Sequence, residues 1–252
     1  MRAARLAGMM QAQIQSTPDG AIVFDPDAVA QAHFDPDWFD PEHWRTRVPV
    51  QAAAGGRGAA LFIDAPFGQC ALRHYRRGGM AARVLADRYL WTGPERTRSF
   101  AEFRLLQSLR GKGLHVPQPV AARYRRRGAQ YRADIITRRI ERAATLAQLL
   151  AQGGIDSTLA ACVGAEIARF HAAGAYHADL NAHNVLQSDA AVWLIDFDRG
   201  ALRAPARGWQ QANLERLKRS LRKLGAARDG EDAFERGLWQ ALLAAYDKAL
   251  AT

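Results

Sequence analysis

Three oxygen-bearing side chains stand close together in the second half of the chain. Asp179 and Asn184 belong to the string His177-Ala178-Asp179-Leu180-Asn181-Ala182-His183-Asn184, and Asp196 opens Asp196-Phe197-Asp198 twelve residues later. Two carboxylates and an amide oxygen at these offsets suit Mg²⁺, which takes few protein ligands and keeps waters and phosphate oxygens in its other positions. An aspartate beside such a cation can orient a hydroxyl group and take its proton. Either motif alone reads as an ordinary turn or a helix cap. Together, at this spacing, they point to phosphoryl transfer, with Asp179 as the candidate catalytic residue and Asn184 and Asp196 as candidate metal ligands.

Such residues need rigid elements on both sides. Upstream, Ser157 caps a predicted helix with Leu159, Val163, Ile167 and Phe170 on one face, and Gly174 ends it. Downstream, Val185-Leu186, a turn at Ser188-Asp189 and Val192 to Asp196 read as a hairpin between the two acidic motifs. A short helix is predicted over Leu146 to Leu150. Two more helices follow between Gln210 and Leu250, with a break from Gly225 to Gly230.

The first half is richer in strands. Ala59 to Ile63 and Cys70 to Tyr75 read as strands joined at Pro66-Phe67-Gly68, and Tyr131 to Thr137 as another. Ser99, with Glu102 three residues on, has the pattern of a capping box opening a helix. That helix carries Phe103, Leu106 and Leu109 and stops at Gly111, before a bend at Val116 to Pro119. Residues 1–50 carry Asp25-Pro26, Asp35-Pro36 and Asp40-Pro41 beside Trp38 and Trp44. Residues before proline are pushed away from helix, so this stretch reads as turns and short helices. A strand-rich half followed by a helical half predicts an α+β chain of two lobes, residues 1–140 and 141–252.

The 35 Lys and Arg exceed the 25 Asp and Glu by ten, which favours an anionic partner. Zinc-finger and RNA-recognition motifs are absent from the sequence, so no nucleic acid is expected as that partner. The two cysteines, Cys70 and Cys162, are far apart and form no C-x-x-C, which excludes a disulfide scaffold and fits a reducing compartment. No run of about 18 apolar residues predicts a membrane span, and the start lacks the apolar stretch of a signal peptide. A cytoplasmic protein is expected, with surface attachment to a membrane allowed. Arginine clusters at 73–77, 123–127, 138–139 and 203–207, and the basic amphipathic stretch Leu214 to Leu224, each read singly as a solvated face. Collectively they suit an anionic lipid surface.

Three strings carry a family resemblance: Leu72-Arg73-His74-Tyr75-Arg76-Arg77-Gly78-Gly79, the His177 to Asn184 string, and Asp196-Phe197-Asp198-Arg199-Gly200. Over about residues 50–225 the chain resembles the bacterial lipopolysaccharide-core kinases, a divergent branch of the protein-kinase-like fold. Within that branch it is most similar to the members acting on 3-deoxy-D-manno-octulosonic acid (Kdo). The resemblance implies a bilobal fold with a β-rich N-lobe and a reduced, mainly helical C-lobe. It implies transfer of the γ-phosphate of ATP to the 4-hydroxyl of Kdo on a lipid A precursor, at the cytoplasmic face of the inner membrane, with Mg²⁺. Arg73 stands at the strand-lysine position of the kinase motif and Glu102 where its ion-pair partner belongs. Together they are expected to hold the α- and β-phosphates, covered by backbone amides of Gly56, Arg57 and Gly58, although this loop also reads as an ordinary turn. By analogy, adenine is expected near Ile136 to Glu141.

Departures from the protein-kinase pattern are informative. Ala178 replaces the arginine that would grip a phosphorylated activation loop, and Ala-Pro-Glu is missing after Asp198, so a non-protein acceptor fits better. His177 reads as a structural brace. His183 either contacts the sugar or packs, and Asp198 is either a further polar ligand or a turn residue. The other readings are a kinase of another sugar, such as a core heptose or an aminoglycoside, and a kinase-shaped binding module without catalysis.

Overall fold

The computed structural model describes residues 11–30, 34–45, 60–76, 87–189 and 191–251. The chain divides into two compact units, residues 1–104 with 118–139 and residues 105–117 with 140–252. The predicted loop Gly56-Arg57-Gly58 lies outside the described residues.

The first unit is built on an antiparallel sheet. Its strands are β1 (Gln13–Thr17), β2 (Gly20–Phe24), β3 (Leu61–Ala65), β4 (Gly68–His74), β5 (Tyr89–Leu90), β6 (Pro119–Arg127) and β7 (Gln130–Arg138). They lie in the order β1-β2-β6-β7-β4-β3, with β5 paired to the far end of β7. The β1–β2 hairpin corrects the expectation that residues 1–50 hold only turns and short helices. Thr17-Pro18-Asp19-Gly20 turns the chain back so that β2 can pair with β6. The turn runs so close to β6 that a Cβ at Gly20 would stand 2.0 Å from the Tyr124 carbonyl oxygen.

The short helices of that stretch are present: α1 (Pro26–Val29), a 3₁₀ turn (Pro36–Phe39) and α2 (Pro41–Arg45). Asp25 and Asp35 cap the first two, each accepting a backbone N–H two residues on, and the following proline supplies the helical φ. These turns lay Phe34, Trp38, Phe39 and Trp44 on one face of the sheet, over Ile22, Phe24, Cys70, Leu72 and Ile136. Phe34 is fully buried, with Trp38 edge-on at 4.8 Å. Burial of one such ring contributes about 1.5–3 kcal/mol.

Strand side chains alternate in direction. Cys70 and Leu72 of β4 join that aromatic cluster, so Arg73 and Tyr75 face the other way, toward α3 (Arg98–Gly111). Ser99 is not the N-cap of α3. It lies inside the first turn, and its hydroxyl donates to the Arg123 carbonyl. Tertiary demand overrides the local capping pattern here: Glu102 turns into the unit, 3% exposed, to meet the charge on β4.

In the second unit, β8 (Ala143–Thr145) leads into α4 (Leu146–Ala151), which has a Thr145–Gln148 capping box. Next comes α5 (Ser157–Ala172), whose cap is Asp156 rather than Ser157. Leu159, Val163, Ile167 and Phe170 of α5 are buried as their spacing predicts, and Gly174 follows with φ 76°. After β9 (Ala175–Tyr176) and the acidic loop come β10 (Val185–Ser188) and β11 (Ala191–Leu194), an antiparallel pair completed by β8 on the outer edge of β10. β12 (Ala201–Leu202) pairs with β9. The chain ends in α6 (Arg207–Lys223), α7 (Glu231–Phe234), a π turn and α8 (Gln240–Leu250). α5 and α8 approach so closely that a Cβ at Gly164 would lie 2.0 Å from the Leu242 carbonyl oxygen.

Candidate active site

In the second unit the β9–β10 loop carries Asp179 and Asn184, and its shape is fixed by buried hydrogen bonds. His177 is 2% exposed. Its Nδ1 accepts the Asp179 N–H at 3.1 Å, so the proton sits on Nε2, which donates to the Ile195 carbonyl at 2.9 Å. Burial holds its pKa below the usual histidine value and the ring stays neutral. This is the structural brace expected of His177, and it ties the loop that carries Asp179 to the residue before Asp196. Asn184 Nδ2 donates to the Asp179 carbonyl at 2.9 Å, and the Asn184 carbonyl accepts from Ile195 N–H at 3.0 Å. The three predicted residues Asp179, Asn184 and Asp196 are thereby held on one stretch of linked backbone.

The Asp179 side chain projects to the surface, 55% exposed, and accepts from Asn181 Nδ2 at 3.1 Å. Asp196 lies just beyond β11 with φ 61°, and Arg199 has φ 60°. The left-handed region costs most non-glycine residues about 1–2 kcal/mol, though aspartate tolerates it better than most. Phe197 is buried between them, stacked on Phe170 at 5.8 Å and touching the His177 ring at 4.6 Å. His183 is exposed, and Asp198 is half-buried.

The loop has a third support that the sequence pattern did not disclose. Asn213 on α6 is 2% exposed and grips His177 twice, donating to its carbonyl at 2.8 Å and accepting its N–H at 3.4 Å. Ser220 Oγ accepts the Ala182 N–H at 3.1 Å, Leu217 is buried between them, and Arg216 Nη1 stands 3.5 Å from Asp179 Oδ1. Positions 213, 216, 217 and 220 form one helical stripe. The signal was the placement of Asn and Ser among the leucines of a basic helix. Two of the basic residues on its other faces are engaged locally: Lys218 pairs with Glu235 at 2.6 Å, and Arg222 with both Glu231 and Glu235.

In the first unit the predicted Arg73–Glu102 pair forms. Arg73 Nη2 donates to Glu102 Oε2 at 2.5 Å, and the Tyr75 hydroxyl donates to the same oxygen at 2.5 Å. The guanidinium also lies over the Tyr75 ring at 4.6 Å. Tyr75 is a member of this cluster that sequence reasoning missed, although its place two residues beyond Arg73 on the same strand face could have found it. On the opposite face of β4, His74 Nδ1 meets Asp134 at 2.6 Å, and Arg123 pairs with the other Asp134 oxygen at 3.0 Å while lying over Phe39 at 4.6 Å. The hydrogen bond to Asp134 pushes the His74 pKa up.

Among the described residues no three His, Cys, Asp or Glu side chains converge as a metal cluster. The donor set at the acidic loop is nonetheless chemically suited to Mg²⁺. Asn184 commits its amide nitrogen to the Asp179 carbonyl, which makes its Oδ1 the atom left to serve as a ligand, with the Asp196 carboxylate as the second candidate donor. Hard oxygen donors in so small a number match a cation that keeps its waters and takes phosphate oxygens.

The model of the Lipopolysaccharide kinase (Kdo/WaaP) family matches residues 41–246. Proteins named 3-deoxy-D-manno-octulosonic acid kinase from Stenotrophomonas maltophilia (strain R551-3) and Xanthomonas oryzae pv. oryzae (strain PXO99A) are each 53% identical to this chain over 215 residues, 84% of either partner. A solved structure described as WaaP in complex with acyl carrier protein covers 84% of this chain and 96% of its own, at 17% identity and a TM-score of 0.49.

Proposed function

The chain belongs to the lipopolysaccharide kinase (Kdo/WaaP) family, and from that premise we propose that it transfers the γ-phosphate of ATP to the 4-hydroxyl of Kdo on a lipid A precursor. It is a phosphotransferase. The observation that carries the proposal is the acidic loop, in which a neutral, buried histidine and two asparagines hold Asp179 at the surface. A carboxylate so placed can accept the proton of an approaching hydroxyl.

Each predicted residue takes a role. Asp179 orients the acceptor hydroxyl and takes its proton as the oxygen attacks phosphorus. Asn184 and Asp196 would hold Mg²⁺, which when bound neutralises charge on the phosphate oxygens. Arg73, oriented by Glu102 and Tyr75, grips the α- and β-phosphates, since a guanidinium matches phosphate oxygens two at a time. On this reading residues 1–140 serve the nucleotide and residues 141–252 the chemistry and the acceptor.

The acceptor is a phosphorylated glycolipid, so we also place the enzyme at the cytoplasmic face of the inner membrane as a peripheral protein. No described helix is long and apolar enough to cross a membrane. An anionic-lipid surface finds its counterpart where the β6–β7 turn lies. There Arg88, Arg125, Arg126, Arg127 and Arg132 line a depression of about 370 Å³, beside Leu90, which is 68% exposed. The basic stretch on α6 is a poorer candidate, because its apolar stripe is core.

An acceptor panel tests the function. The enzyme is given Mg-ATP with Kdo-lipid, heptosylated lipid or an aminoglycoside, and the products are weighed by mass spectrometry. One added phosphate on the Kdo residue is expected. Transfer to heptose or aminoglycoside alone would overturn the Kdo assignment.

A further inference from the structure

Arg216 is the one member of the α6 stripe that touches the loop through a charge. Asn213 and Ser220 hold loop backbone and Leu217 is buried, whereas Arg216 reaches the carboxylate that the reaction requires. The contact is 3.5 Å long, and the two side chains are 46% and 55% exposed. Exposed pairs of this kind hold only weakly, so a competing anion with better geometry displaces the carboxylate from the guanidinium.

The acceptor brings such an anion. Kdo is an ulosonic acid: its C2 bears a carboxylate, and only the methylene at C3 separates C2 from the carbon that bears the 4-hydroxyl. A base for that hydroxyl and a cation beside the base match two groups on one edge of a single sugar ring. We propose that Arg216 binds the carboxylate of the acceptor and so selects acidic ulosonic sugars over neutral ones; this rests on the Kdo reading above. The planar guanidinium takes both carboxylate oxygens and leaves Asp179 as it does so, which opens the base to the hydroxyl. A neutral sugar offers nothing to draw Arg216 away and so lacks the attraction that an acidic sugar receives, which is where the discrimination lies.

The test compares wild type with Arg216→Gln and Arg216→Lys on Kdo-lipid and on the same lipid with its Kdo carboxylate methyl-esterified. Loss of a hydrogen bond to a charged group predicts a KM for Kdo-lipid about 10–100-fold higher in Arg216→Gln. KM for ATP should be unchanged, and Arg216→Lys should fall between. Wild type should prefer the free acid over the ester, and Arg216→Gln should lose that preference. Thermal melts and the ATP KM report whether the variant is folded. Wild-type transfer to Kdo-lipid with an unchanged acceptor KM in Arg216→Gln would overturn the inference alone. A rise in the ATP KM instead would assign the guanidinium to phosphate and overturn it equally. No transfer to Kdo-lipid by wild type would overturn the Kdo reading and this inference with it.

Discussion

Glu102→Gln isolates the charge that orients Arg73. In the wild type one oxygen, Glu102 Oε2, receives both Arg73 Nη2–H and the Tyr75 hydroxyl, each at 2.5 Å. Hydrogen bonds to a charged group contribute about 1.5–3 kcal/mol and neutral ones about 0.5–1.5. A glutamine carbonyl in the same place therefore loses about 1 kcal/mol per bond. Removing the partner of a buried charge costs about 3–5 kcal/mol, but Arg73 is 19% exposed and water offsets part of this. The net expectation is a loss of about 2–4 kcal/mol. For a chain of this size each kcal/mol lowers Tm by about 2–4 °C, so the first melting transition should fall by about 5–15 °C. A loosened guanidinium should also raise the KM for ATP by about 10-fold. The assays are scanning fluorimetry and initial rates at saturating acceptor, with Arg73→Met and the double variant closing a cycle whose coupling should reach about 1 kcal/mol or more. Unchanged Tm and ATP KM in Glu102→Gln would refute the reasoning. A lower Tm with an unchanged ATP KM would leave the pair structural and remove Arg73 from the nucleotide site.

Other outcomes follow from the same geometry. Asp179→Asn should lower kcat by about 10²–10⁴-fold while retaining ATP binding, whereas Asp196→Asn should raise the Mg²⁺ concentration needed for half-maximal rate; equal behaviour of the two variants in a Mg²⁺ titration would contradict the division of roles. Burial pushes His171 down from its usual value of 6.5 to about 4, so its contribution is complete above pH 6.5. It is lost as pH falls toward 4, by about 3 kcal/mol in all. Urea midpoints between pH 4 and 8 should show a shallower acid loss in His171→Gln. The raised pKa of His74 acts in the opposite sense, stabilising fully below 6.5 and losing that contribution as pH rises through its folded value. Vesicles with anionic lipid should sediment the protein at low salt and release it at high salt. Arg125, Arg126 and Arg127 changed together to Gln should weaken this more than Lys218 and Arg222 changed to Gln, and the reverse order would move the contact surface to α6.

The chemistry was legible because it is written in local strings. The His177 to Asn184 loop, its hairpin and the α5 stripe all declare themselves through residue type and period. The Arg73–Glu102 pair was found through the kinase motif, across 29 residues. What stayed hidden was set by partners distant in sequence. Ala21-Ile22-Val23-Phe24 is a short apolar run among Asp-Pro turn signals, and its strand character comes from pairing with β1 and with the distant β6. β6 ends in Tyr124-Arg125-Arg126-Arg127, which reads as a charged patch until β2 and β7 flank it with hydrogen-bond partners. Ser99 has every local mark of a cap, yet its hydroxyl is drawn to the Arg123 carbonyl. Asn213 and Ser220 carry no motif, because their purpose is the shape of a loop some 30 to 40 residues earlier.

The left-handed backbone at Asp196 and Arg199 bears on how this enzyme can be engineered. Glycine occupies that region without steric cost, so a screen that rewards heat resistance alone will favour glycine at both positions. At 199 the exchange removes an exposed arginine with no assigned role, and the gain is retained. At 196 the same substitution removes the carboxylate proposed to hold the metal, and on that proposal the selected clone would be sturdier and inert. Stabilising libraries should therefore vary 199 and hold 196 fixed. A tolerant residue three positions away from an intolerant one, in the same left-handed region, also gives such a library its internal control.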